Sequence, residues 1–222
     1  VEKFCALTGS WEPGPPMTIA KFGATSGILG DKIYVCGGFD GDWQDLSFSE
    51  RFDPRKGAAG TWEALPPLAE PRARSAAGSA RGLLYVCGGV GPMRSTEYLS
   101  PAEGTWLPGV SMTVPRAAAA AASVSGSLFV CGGWGEDRQV RRSVERLNLE
   151  ANCWELTADM SVGRYGAATA AAAGCLYILG GCDDDDEHLR SAEMLDVRLQ
   201  KWTPLPEMAD RRWGSAAATI FG

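Results

Sequence analysis

Residues 84–89 read Leu84-Tyr85-Val86-Cys87-Gly88-Gly89, an apolar run closed by a glycine pair, and the phrase recurs three times. It stands as Ile33-Tyr34-Val35-Cys36-Gly37-Gly38, as Leu128-Phe129-Val130-Cys131-Gly132-Gly133 and as Leu176-Tyr177-Ile178-Leu179-Gly180-Gly181. The pairs are 51, 44 and 48 residues apart. A period of this size is the mark of one supersecondary unit stacked repeatedly. A second marker keeps the same beat: Trp11, Trp62, Trp106, Trp154 and Trp202 are separated by 51, 44, 48 and 48 residues.

The finer register is stricter. Six residues after each tryptophan comes Met17, Leu68, Met112, Met160 or Met208, and four further on Lys21, Arg72, Arg116, Arg164 or Arg212. Glu2, Glu97, Glu145 and Glu193 precede their tryptophans by nine residues, and Glu50 by twelve. Each unit reads as four short strands. Strand A is the small-residue run after the basic position, such as Tyr165–Ala171; strand B is the apolar run before the glycines. Strand C carries the glutamate and strand D the tryptophan, with turn pairs such as Gly30-Asp31 and Ser125-Gly126 between A and B. Four antiparallel strands per unit of about 50 residues make a propeller blade.

With the segments Ser49–Pro54, Ser95–Ser100, Ser143–Leu149 and Ser191–Val197 added, the sequence resembles the Kelch family over essentially its whole length. The expected fold is an all-β Kelch-type propeller of four complete blades, 17–67, 68–111, 112–159 and 160–207, in a single domain spanning 1–222. Residues 1–16 supply strands C and D of a partial blade and 208–222 strand A of another, so more propeller is expected outside this stretch. Crowding near the channel accounts for the small residues Ala117–Ala122 and Ala170–Ala173, which would give a helix no amphipathic face. The glycine pairs are expected to permit a bulge and the close approach of a neighbouring ring. The spaced tryptophans are expected to anchor blade against blade.

Composition removes several function classes. A net charge of −6 argues against a general nucleic-acid or anionic-membrane surface, and no apolar run is long enough for a spanning helix. Seven cysteines, no CxxC and a single histidine give little support to a disulfide framework or a zinc site, and favour a reducing, cytoplasmic setting. Leu179 takes the place that Cys36, Cys87 and Cys131 hold in the other units, so that column is apolar packing. Asp183–Asp186 lacks the spacing of a calcium loop and reads as a solvated charge run. One imidazole, His188, cannot furnish a copper oxidase site, and no nucleophile–base–orienter set is recognisable. No cofactor is expected.

Antiparallel connection puts the B–C loops and the starts of strand A on one face, where loops on a rigid frame carry binding. These loops differ: Phe39, Asp40, Asp42 and Trp43 in the first; Pro92, Met93 and Arg94 in the second; Trp134, Glu136, Asp137 and Arg138 in the third; Asp183–His188 in the fourth. Trp43 and Trp134 fall outside the tryptophan register and have two readings, as anchors for a partner or as packing within their own loops. In adaptors that join a BTB domain to Kelch repeats and serve cullin ubiquitin ligases, this face captures substrate peptides through arginines at strand A starts. The resemblance carries that role to Arg72, Arg116, Arg164 and Arg212, with Lys21 a weaker substitute and Tyr165 beside them. The other reading of this basic column is scaffold, each residue paired with a nearby acid. The function expected is non-catalytic protein binding, as the substrate reader of a ubiquitin ligase or as part of a larger complex. The alternatives are a structural or cytoskeletal subunit and a Kelch-type sugar oxidase or epimerase.

Overall fold

A computed structural model describes residues 1–57, 59–91 and 93–219. A hairpin of β1 (Glu2–Cys5) and β2 (Ser10–Pro13) comes first. Four blades follow: β3 (Thr25–Leu29), β4 (Lys32–Cys36), β5 (Ser49–Asp53), β6 (Thr61–Ala64); β7 (Ala76–Ala80), β8 (Leu83–Cys87), β9 (Thr96–Ser100), β10 (Thr105–Pro108); β11 (Ala120–Val124), β12 (Ser127–Cys131), β13 (Val144–Asn148), β14 (Cys153–Leu156); and β15 (Ala168–Ala172), β16 (Cys175–Leu179), β17 (Ala192–Asp196), β18 (Lys201–Leu205). Each blade is an antiparallel meander in sequence order, and no helix occurs among the described residues. The expected all-β propeller with four complete blades is the fold observed. The innermost strands β3, β7, β11 and β15 lie side by side in succession. They begin a few residues later than the alanine tracts suggest, because Phe22, Ala117 and Tyr165 first make isolated bridges to Phe39, Trp134 and Cys182. Residues 215–219 take the place of a fifth inner segment without strand pairing, and the end of the expected Ala216–Phe221 strand lies outside the described residues.

Blade stacking explains the small inner residues. Leu84, Leu128 and Leu176 of successive B strands are wholly buried. A methyl group added at Gly27 would collide with Leu84, and one at Gly78 with Leu128. Each inner strand therefore stays thin where the next blade's leucine lies on it. Burying such a leucine stabilises the fold by about 1.5–3 kcal/mol.

The strand D tryptophans tie each blade to the one before. The indole N–H of Trp62 donates to Pro15 O (3.0 Å), Trp106 to Ser49 Oγ (3.1 Å), Trp154 to Val110 O (2.9 Å) and Trp202 to Ala158 O (2.8 Å). Trp106 packs with Tyr34, Cys36 and Leu68, and Trp154 with Tyr85, Cys87 and Met112. Trp11 departs from this role; it is 67% exposed and touches Phe4.

The glycine pairs admit backbone, not the aromatic ring expected. Gly37, Gly88, Gly132 and Gly180 adopt φ of 63–65°, and a Cβ on any of them would strike the carbonyl oxygen of Arg72, Arg116, Arg164 or Arg212. The second glycine of each pair donates its N–H to that same carbonyl, at 2.7–3.0 Å. Only glycine gives both the left-handed turn and the space.

Candidate functional site: the loop face at the channel mouth

The basic column that the resemblance assigns to partner binding is, in four of five units, interior. The side chains of Lys21, Arg72, Arg116 and Arg164 have no exposed surface, and each pairs with the strand C glutamate of its own blade: Glu50 at 2.8 Å, Glu97 at 3.0 Å, Glu145 at 3.0 Å and Glu193 at 2.8 Å. The other carboxylate oxygen of each glutamate accepts the backbone N–H of Thr18, Ala69, Thr113 or Ser161. Burial raises the Glu50 carboxyl, but the Lys21 ammonium and the Thr18 N–H outweigh it and hold the group below its ordinary value.

Each arginine is a hub. Arg116 donates to Gly132 O, Ser143 O and Ser143 Oγ, and Arg164 donates likewise to Gly180 O, Ser191 O and Ser191 Oγ. Arg72 does the same with Gly88 O, Ser95 O and Ser95 Oγ. Burial of a charge costs so much free energy that complete pairing is the rule. This correction takes Lys21, Arg72, Arg116 and Arg164 off the accessible face and leaves the scaffold reading. Arg212 differs. Its backbone keeps the frame, its carbonyl accepting from Gly181, while its side chain is exposed 3.7 Å from Asp210.

Two residues beyond this column runs a belt that the sequence pattern did not reveal. Arg74 N–H donates to Gly23 O (2.7 Å), Ala118 to Arg74 O (2.8 Å), Gly166 to Ala118 O (2.8 Å) and Gly214 to Gly166 O (2.9 Å). All five residues have φ between 51° and 62°. They ring the mouth of a channel whose wall is small: Ala24, Ser75, Ala119, Ala167 and Ser215. Glycine and alanine fill four of the five belt positions, and Arg74 alone carries a charge there. Its guanidinium lies 6.0 Å from the Phe39 ring centroid, and among the described residues no carboxylate lies within ion-pair distance.

Three of the B–C loops share one backbone. In 39–45, 134–140 and 182–188 the second residue donates to the sixth and the fifth donates to the second. Asp40 and Asp183 fold their carboxylates back onto the N–H groups two and four residues on. Trp134 stands in the column of Phe39 and Cys182, bridging Ala117 and Val140, so it is half-buried frame as well as surface. Trp43 is 65% exposed, its ring against Phe22 (4.6 Å) and Phe39 (5.6 Å). In the shorter second loop Pro92 lies outside the described residues, and Met93 bridges Arg116.

Tyr165 is half-buried and donates to Asp186 Oδ1 at 2.6 Å. Burial and its bonds to Asp186 and Cys182 raise the phenol well above its ordinary value, so it stays a donor. It shares a cleft of about 430 Å³ with Arg74, Trp134, Arg138, Val140 and Asp183, Asp184 and Asp186. Trp213, unmarked by the repeat, covers Gly166 and stacks on His188 at 6.1 Å. The face thus offers aromatic surface, the Arg74 guanidinium, without an ion-pair partner among the described residues, at the mouth, and unlike loop charges. Among the described residues no group of His, Cys, Asp or Glu is arranged to hold a metal ion.

Comparison with known proteins agrees with this geometry. The Kelch motif model matches residues 20–69, 71–113, 115–161 and 163–209. An F-box/kelch-repeat protein of Arabidopsis thaliana is 40% identical over 70 residues, which is 31% of this chain; the chain spans 17% of that protein's length. The solved structure of YjhT superposes with a TM-score of 0.77 at 17% identity, covering 88% of this chain and 68% of the other. Repeat register, blade topology and motif agree over most of the sequence, and the chain belongs to the Kelch-repeat family of β-propellers.

Proposed function

We propose that this propeller is a non-catalytic protein-binding module that holds a peptide segment of its partner across the channel mouth on the loop face. The carrying observation is Arg74, a half-buried guanidinium without an ion-pair partner among the described residues, on a belt otherwise built from glycine and alanine. In this reading Arg74 takes the role that the family resemblance gives to the interior arginines, with its planar fork turned to a carboxylate. Trp43, Trp134 and Tyr165 supply aromatic contact area around it. Arg212 belongs to the same face through its exposed side chain.

A finer form of the proposal is that the module reads substrates for a ubiquitin ligase; the partial similarity to an F-box/kelch-repeat protein supports it. The second reading, a fixed subunit of a larger assembly, would use the same face. Affinity capture of the full-length protein with quantitative mass spectrometry tests the site. Arg74→Glu is expected to reduce capture of the principal partners at least about ten-fold, a change of about 1.4 kcal/mol, while the thermal midpoint is kept. Equal recovery by the wild type and Arg74→Glu refutes the assignment. A cullin and its linker among the proteins retained by both forms would identify the ligase branch.

A further inference from the structure

The three loops of common backbone place one residue in the same left-handed turn: Trp43 (φ 60°), Arg138 (φ 59°) and Asp186 (φ 57°). A side chain there meets crowding that glycine would avoid, least for the aspartate, yet none of the three tips is glycine. All three are exposed. Around the mouth the order is aromatic on the first blade, cationic on the third and anionic on the fourth, with the shorter second loop between the first two.

A propeller's blades are near copies, so a partner touching only repeated features could dock in several rotations, one blade apart. Unlike groups at equivalent places remove that degeneracy, because a wrong rotation sets like charges together or strands an apolar group. The tips are chemically free to do so. Trp43 rests on Phe22 and Phe39 with its outer surface open. No carboxylate pairs with Arg138 among the described residues, although Asp137 beside it pairs with Arg141 at 2.8 Å. Asp186 uses Oδ1 for the Tyr165 hydroxyl and keeps Oδ2.

We propose that Trp43, Arg138 and Asp186 form a rotational key that seats one protein segment in one angular register, with an apolar side chain on Trp43, a carboxylate on Arg138 and a basic side chain on Asp186. The proposal rests on the protein-binding reading and adds the chemistry and order of the partner.

A phage-displayed random 12-residue library, whose extended members reach about 40 Å, is the probe, with the full chain as bait. Wild type is expected to enrich peptides carrying an apolar, an acidic and a basic residue in a fixed order. The exchange Arg138→Asp with Asp186→Arg keeps the net charge and is expected to enrich the acidic and basic positions in reversed order. Trp43→Asn, with a residue that tolerates the left-handed turn, is expected to lose the apolar requirement and weaken the wild-type peptides at least about ten-fold. Circular dichroism and thermal midpoints confirm that each bait is folded; should the exchange misfold, Arg138→Glu alone is expected to abolish the acidic preference. The same order from wild type and exchange overturns the key. If Arg74→Glu then still loses those peptides, the mouth remains the binding site; if no peptide is enriched by folded wild type, both proposals fall.

Discussion

Lys21 Nζ stands 4.7 Å from the ring centroid of Phe48, and these two residues hold the places of the arginine and serine in the next three blades. The equivalence is set by the backbone: Gly37 donates to Phe48 O as Gly88, Gly132 and Gly180 donate to Ser95 O, Ser143 O and Ser191 O. Where a guanidinium needs a hydroxyl, an ammonium accepts an aromatic face. Lys21→Arg alone is therefore expected to destabilise by about 1–3 kcal/mol, since a buried N–H loses its partner. Phe48→Ser alone removes the ring from the ammonium and is expected to destabilise as well. The double substitution rebuilds the hub of the other blades, and denaturant unfolding should give a favourable coupling of about 1–3 kcal/mol. Strict additivity would refute the exchange.

The close approach at the glycine pairs gives a sharper contrast. Gly132→Ala places a methyl group against Arg164 O with no room to shift, since that carbonyl also accepts from Gly133 at 2.9 Å. A loss of about 3 kcal/mol or more is expected, combining left-handed strain with a displaced blade. Gly126 has φ 80° as well, but a Cβ there meets nothing within 4 Å. Gly126→Asn is expected to stay within about 1 kcal/mol of wild type. Thermal melts of the two variants should separate widely, and equal melting would remove the steric account.

The framework was legible because it repeats. Strand B, expected at Ile33–Cys36, is found at Lys32–Cys36, and the tryptophan column does tie blade to blade. The site was less legible, because a constant column marks the frame as readily as the function. Lys21, Arg116 and Arg164 each precede a glutamate by 29 residues, a constancy of opposite charges that suits an interior pair. Arg74 is the reverse case, a charge appearing once where the other units carry glycine or alanine. Its meaning depends on the belt of interblade hydrogen bonds, which is a tertiary feature without a local signature. For Trp134 the sequence leaves anchor and loop packing both open, and the loop backbone decides for packing by setting it in the column of Phe39 and Cys182.

The buried cysteines make a prediction in alkali. Burial pushes the thiols of Cys36, Cys87 and Cys131 up to about 12, against an ordinary value near 9. Between those values the folded chain keeps three protons that the unfolded chain releases. Their contribution to stability is complete below about pH 9 and is lost as the pH climbs toward 12, by roughly 1.4 kcal/mol per pH unit for each site. Urea midpoints should fall steeply in that window, and Cys87→Ala should remove that site's share of the dependence while lowering stability at pH 7. At pH 8 a thiol reagent should modify Cys5 first, because hydrogen bonds from Thr8 lower its value. Rapid reaction of Cys36, Cys87 and Cys131 in the folded chain would contradict their burial.

The two kinds of arginine should separate in one pair of substitutions. Arg116→Met leaves the Glu145 carboxylate buried without its cation, and the carbonyls of Gly132 and Ser143 lose a donor. Breaking such a pair costs about 3–5 kcal/mol. Adding Glu145→Leu removes the orphaned charge and should recover part of that loss, although Thr113 N–H then lacks its acceptor. Arg74→Ala takes away a guanidinium that makes no ion pair among the described residues, and the belt hydrogen bonds run through the backbone, which Ala118 shows an alanine can supply at φ 52°. Its unfolding free energy should therefore stay within about 1 kcal/mol of wild type, whereas retention of the partner on the loop face should fall. A large loss of stability from Arg74→Ala with a small one from Arg116→Met would exchange the two roles and return the interior arginines to the binding site.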